Sequence, residues 1–150
     1  MKSPLEDPHN FGAILRSSAA FAVDGIIITK KNQVQVNSTV IKVSSGGIAY
    51  VPVCNVDSLE GAIDELRKKQ YKIVSTVCEI SSAASYNNLV LDSDMAIIFG
   101  NEHRGISQKL VKKSNFLCTI PVNSNISSLN VSVSAAIILA NLTLSKAQTK

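Results

Sequence analysis

The chain has 150 residues, of which 45% are hydrophobic and 17% charged, with a formal net charge of +4. These values suit one domain with a substantial core and exclude a disordered or fibrous chain. The mild positive charge permits a polyanionic partner such as RNA without requiring one. Cys54, Cys78 and Cys118 stand far apart with no CxxC pair, and the histidines are His9 and His103. Neither a zinc site nor a disulfide framework is expected from that spacing, and no metal is assigned. All three cysteines lie in or beside apolar runs and are read as buried, reduced thiols. The segment Met1 to Asp7 lacks the apolar core of a signal peptide, and no run reaches membrane-spanning length. A cytoplasmic protein without a membrane partner is the expectation.

In chain order, Asp7-Pro8-His9-Asn10 is turn-rich, and Phe11 to Phe21 reads as a helix ended by Asp24-Gly25. Ile26-Ile27-Ile28 reads as a parallel strand covered on both faces. Lys30 to Asn37 is a polar loop, Ser38 to Ser44 a short helix, and Ser45-Gly46-Gly47 its end. Tyr50 to Cys54 reads as a strand that Pro52 confines to an edge. Asp57-Ser58-Leu59-Glu60 has the spacing of a capping box. The helix it opens turns Leu59, Ile63 and Leu66 inward and Glu60, Asp64, Arg67 and Lys68 outward.

Tyr71 to Val77 is the next strand, and Ser81 to Asn88 a polar loop. Met95 to Phe99 reads as the clearest buried strand. It runs into Gly100-Asn101-Glu102-His103-Arg104-Gly105, followed by a helix from Ile106 to Lys113. Phe116 to Ile120 is the last strand. A polar loop with no charged residue follows, and a helix begins near Ser128 with Leu129, Val133, Ile137 and Ala140 on one face. The alternation of strand and helix predicts a single α/β domain with a largely parallel sheet.

In open parallel sheets ligands bind beyond the carboxyl ends of the strands. Three segments fall there: Thr76 and Val77, Gly100 to Gly105, and Pro121 to Asn130. The glycines of the second let a backbone approach a ligand closely. Glu102 between them could bind a ligand, orient Arg104 or cap the following helix. In the third segment, Ser128 is either a plain N-cap or part of a ligand loop, because Ser and Asn offer donors and acceptors without charge. Arg16, set among small and apolar neighbours, is either solvated or aimed at a phosphate or ribose, which its planar donor fork suits. The chain carries no GxGxxG, no GxxxxGK[ST] and no GxSxG, so the usual dinucleotide, P-loop and nucleophile-elbow sites are excluded.

Three stretches are recognisable together: Asp7-Pro8-His9-Asn10-Phe11-Gly12-Ala13-Ile14-Leu15-Arg16-Ser17, Ile98-Phe99-Gly100-Asn101-Glu102-His103-Arg104-Gly105, and Ile120-Pro121 through Ser128-Leu129-Asn130-Val131-Ser132-Val133. In order and spacing they resemble the three motifs of the SpoU (TrmH-type) RNA 2′-O-ribose methyltransferases, over nearly the whole chain. The resemblance implies a SPOUT α/β knot, a mostly parallel sheet flanked by helices with a C-terminal deep trefoil knot. Rules for ordinary chain connections would never lead to such a knot. It also implies a homodimer with S-adenosylmethionine in a cleft near the subunit interface.

By the same resemblance, Asn10, Arg16, Glu102, Ser128 and Asn130 form the catalytic set. Thr76, Gly100, Asn101, Ile120 and Leu129 face the cofactor. Arg16 is the family's candidate for activating the ribose hydroxyl. An arginine is effectively always protonated, so holding a phosphate is the physically easier role. Ser124 stands where many relatives have glycine, Ser127 where glutamate is common, and His103 where glycine is frequent. The motif wording is closest to bacterial enzymes that methylate a guanosine ribose in 23S ribosomal RNA. Transfer RNA is the alternative substrate, and a noncatalytic RNA-binding module of the same fold is the rival reading. Residues 1–150 are read as the catalytic domain alone, with the family's N-terminal substrate-binding domain absent.

Overall fold

A computed structural model of the protein describes residues 7–30, 34–78, 83–100 and 105–148. The first helix, α1 (Pro8–Ala20), starts earlier than its apolar pattern suggests, because the Asp7 side chain accepts from the His9 N–H at 3.0 Å and Pro8 fits the first turn. It also stops before Gly25. Ala22 takes the left-handed conformation (φ 51°), while the Val23 N–H reaches the Ser18 carbonyl and the Ala22 N–H that of Ala19. That is a Schellman ending built without glycine.

Strand β1 (Ile26–Thr29) pairs in parallel with β2 (Val53–Val56). Between them lies α2 (Ser38–Val43), capped by Asn37, whose side-chain oxygen accepts from Val40 N–H at 3.0 Å. Pro52 precedes β2 rather than sitting in it, and its carbonyl accepts from Ile26 N–H. The expected strand over Tyr50 to Cys54 is thus displaced toward its C-terminal side, since a proline has no N–H to give the ladder. Ile27 is 37% exposed, so β1 is not covered on both faces as its composition suggested.

Helix α3 (Leu59–Lys68) is capped by Ser58, which accepts from Gly61 N–H, rather than by an Asp57–Glu60 box. Its inward set is as expected: Ile63 is buried, with Leu59 and Leu66 packed beside it. The second sheet contains β3 (Lys72–Thr76), β4 (Ala84–Ser85), β5 (Met95–Ile98) and β6 (Phe116–Thr119), in the order β4-β6-β3-β5 and parallel throughout. Residues 84–88, read as loop, hold β4 and a single 3-10 turn. The most buried strand is β3, where Ile73, Val74 and Ser75 are inaccessible; β5, at the end of that strand order, is half-buried along its length.

The alternation along β3 divides the core. Val74 packs with Cys118, Ile138 and Leu142 beneath α5 (Val131–Gln148). Ile73 packs on the other face with Ile63 of α3 and Leu110 of α4 (Gln108–Lys113). A separate cluster of Phe11, Leu15, Ile28, Val40 and Val51 joins α1 and α2 to the first sheet. Helix α5 starts at Val131, not Ser128, and buries Val131, Ala135, Ile138 and Leu142, while Val133 is 46% exposed. The expected face through Leu129, Val133, Ile137 and Ala140 is out of phase. This helix is apolar nearly all round, so its sequence carries little signal for its rotation. Among the described residues no helix is long and apolar enough to cross a membrane.

Asn115 extends the β3–β6 ladder by one residue at its start: its side-chain oxygen accepts from Ile73 N–H at 2.9 Å and its own N–H donates to the Ile73 carbonyl. Asn115→Ala strands the Ile73 N–H beside the core. It should lower unfolding free energy by about 1–3 kcal/mol in urea denaturation, with an unchanged slope.

Candidate functional site

The carboxyl ends of β3, β5 and β6 open into a cleft of about 620 Å³. Its floor is Cys118, Val131 and Ile138, and its walls include Phe99, Ile120 and Leu129. None of the described lining residues carries a charge. Thr76 sits at the mouth, where its hydroxyl donates to the Ile98 carbonyl at 3.0 Å and ties β3 to β5. Gly100 and Gly105 close one side. A Cβ on Gly100 would lie 2.8 Å from the Gly105 carbonyl carbon and 3.0 Å from Ile106 N, all backbone, so only glycine fits there.

The other side is the 120–130 loop. Asn123 folds it: its side-chain oxygen accepts from Asn125 N–H and its carbonyl from Ile126 N–H. Ser124, at the corner, is not among the left-handed residues, so the serine sits there without backbone strain. Ser128 and Leu129 line the cleft but precede the helix. The helix start belongs instead to Asn130, whose side-chain oxygen accepts from Ser132 N–H at 2.8 Å and from the Ser132 hydroxyl at 2.6 Å. Its amide nitrogen donates to Asn10 Oδ1 at 2.9 Å, joining residues 120 positions apart.

The sequence-derived candidates therefore divide. Thr76, Gly100, Ile120, Ser128 and Leu129 share the cleft, and Asn10 meets Asn130 at its α1–α5 border. Arg16 does not join them. It is exposed and opens into a second cavity of about 620 Å³ with His9, Ser38, Thr39, Lys42, Val43 and Ser45. The two cavities share no lining residue. The helix explains this, because residues six apart point about 120° away from each other. Asn101 and Glu102 lie outside the described residues.

The sequence reading missed the floor residues Cys118, Val131 and Ile138, which only strand register and helix rotation could reveal. It also missed Lys42, for which no local signal exists. Of the cysteines only Cys118 is buried; Cys54 and Cys78 are exposed, because β2 is open and Cys78 stands past the end of β3 at the cleft.

The model of the SpoU rRNA methylase family matches residues 3–140. A TrmH family protein of Staphylococcus aureus (strain COL), assigned as a tRNA/rRNA methyltransferase, is 42% identical over 135 residues, 90% of this chain and 54% of that protein. A crystal structure of an RNA 2′-O ribose methyltransferase is 27% identical with a TM-score of 0.82, covering 95% of this chain and 54% of that one. The SpoU methyltransferase AviRb of Streptomyces viridochromogenes, solved in complex with the cofactor AdoMet, shares the fold at 21% identity with a TM-score of 0.85, over 95% of this chain and 57% of that one. Fold and cleft define an α/β protein with a strand-end cavity whose described lining residues are uncharged. The chain belongs to the SpoU rRNA methylase family, and it spans about half the length of the curated relatives it matches.

Burial pushes the Cys118 thiol from 9.0 up to about 11. The unfolded thiol ionises first as pH rises, so the native state holds more protons between those values. The stability this contributes is lost as pH climbs from about 9 through about 11. Denaturation curves of the parent and Cys118→Ala across that range should converge with rising pH as the parent loses its advantage.

Proposed function

We propose that the protein transfers a methyl group from S-adenosylmethionine to a ribose 2′-hydroxyl of RNA, with a guanosine of 23S ribosomal RNA as target. The observation that carries this reading is the cleft at the strand ends, whose described lining residues are uncharged. A 620 Å³ cavity with apolar walls and glycine backbone at one side suits an adenosine bearing an amino-acid tail. It does not suit a nucleotide polyphosphate, for which no described lining residue supplies a cation. Family membership and the assignment of the Staphylococcus aureus relative support RNA as the acceptor.

When bound, S-adenosylmethionine supplies an electrophilic methyl group. Ile120 and Leu129 would hold the adenine between apolar surfaces, and the Gly100 and Gly105 backbone would border it at close range. Ser128 and the hydrogen-bonded Asn10–Asn130 pair would shape the path of the ribose hydroxyl. Arg16 would bind an RNA phosphate and fix the ribose for in-line attack, a positioning role that needs no change in its protonation. The working unit is read as a homodimer in the cytoplasm. A second copy could appose one subunit's Arg16 cavity to its partner's cleft, and Val133, exposed on α5, offers apolar surface for that contact. We read the segment from β6 through α5 as the family's trefoil knot.

Calorimetric titration tests the cleft directly: S-adenosylmethionine and S-adenosylhomocysteine should each bind at one site per chain. The bound ligand should also protect Cys78, which lines the cleft, from a thiol reagent while leaving the exposed Cys54 reactive. Absence of both binding and protection in the folded protein overturns the reading. Arg16→Ala should keep cofactor binding and lose about 100-fold or more in methyl transfer to deproteinised 23S ribosomal RNA. Equal loss of cofactor binding would remove Arg16 from the acceptor side.

A further inference from the structure

The second cavity contains more than Arg16. His9 and Arg16 are seven residues apart, which puts them on one face of α1 about 10 Å apart along its axis. Between them, Gly12 leaves room for α2 to come in. A Cβ there would sit 2.6 Å from Val43 Cβ and 3.1 Å from the Val40 carbonyl. Gly47 does the same for the turn after α2, where a Cβ would lie 2.9 Å from the Leu15 carbonyl and 3.2 Å from Arg16 Cα. These two close approaches bring Lys42 and Ser45 to the cavity that Arg16 enters.

The chemistry of this cavity is one-sided. Arg16 and Lys42 supply two cations, Ser38, Thr39 and Ser45 supply hydroxyl donors, and no described carboxylate lines it. Among the described residues neither Arg16 nor Lys42 forms an ion pair, although Lys30, Lys68, Lys72 and Lys113 all do. Both side chains are exposed, so their charges stay open to solvent at one concavity and are available to an anion that enters the space between them.

We propose that Lys42 is an RNA-binding residue that shares a backbone phosphodiester with Arg16 in this α1–α2 cavity. Lys42 acts as a compact point charge beside the planar fork of Arg16, and the hydroxyls of Ser38, Thr39 and Ser45 complete the donor set. Lys42 thereby sets the register of the strand whose ribose is methylated. This rests on the RNA acceptor proposed above and is independent of the cofactor.

The test is fluorescence anisotropy of a fluorescein-labelled single-stranded oligoribonucleotide with the full chain over a range of KCl concentrations. Lys42→Ala should weaken binding several-fold and flatten the slope of log affinity against log salt by about 0.7, the release expected for one phosphate contact on a single strand. Lys42→Arg should restore both. Lys69→Ala, removing an exposed lysine at the end of α3 away from either cavity, should stay close to the parent. An unchanged slope for Lys42→Ala, an equal effect from Lys69→Ala, or no RNA binding by the parent overturns the assignment. Calorimetry with S-adenosylmethionine on the same variants separates the two readings. If the parent binds the oligoribonucleotide but not the cofactor, methyl transfer falls while the salt slope still decides Lys42.

Discussion

The junction between α1 and α5 is the contact on which the site depends. Ile14 packs against Val131 and Ala135, with Ile26 and Phe99 beside them, and the Asn10–Asn130 hydrogen bond lies at the same border. Two helices from opposite ends of the chain are held there with both sheets, since Ile26 belongs to β1 and Phe99 follows β5. One wall of the cleft and the start of α5 are fixed together. A shift at this junction would move Leu129 and Ser128 against Gly100 and Thr76.

Around that junction the molecule separates two chemistries. The cleft is uncharged among its described residues and floored by the core itself, with Cys118 and Ile138 serving both. The α1–α2 cavity gathers cations and hydroxyls and no described acid. An apolar-walled cleft and a cationic cavity make opposite demands on their surroundings, because apolar walls weaken the solvation of charge. Placing them on different faces of α1 meets both demands with one helix: Asn10 faces α5 and Arg16 faces α2.

Several parts of the fold were readable because their causes are local. The α3 face and its outward charges are written in residues three and four apart. The strand–helix alternation and the strand-end loops followed from composition and turn chemistry. Other parts depended on distant residues. Pro52 was placed inside a strand because its neighbours are apolar, and it lies just outside because it has no N–H to give the ladder, although its carbonyl still accepts from Ile26. The α1 helix was expected to reach Phe21 and to be ended by Gly25, yet Ala22 adopts the left-handed turn because the Ala19 and Ser18 carbonyls capture the Ala22 and Val23 N–H groups. Cys54 and Cys78 look like core residues by their neighbours and are exposed by the tertiary arrangement.

The sequence by itself determined the α/β class, the three motifs and part of the cleft's border, Thr76, Gly100, Ile120, Ser128 and Leu129, since those are matters of residue type and short spacing. Tertiary structure alone decided the rotation of α5, whose apolar residues occupy every face and leave the burial of Val131, Ala135 and Ile138 to its packing on α1 and the sheet. It also decided that Asn10 meets Asn130 while Arg16 looks the other way beside Lys42, because partners so far apart in the chain are chosen by packing, and no local pattern encodes that choice.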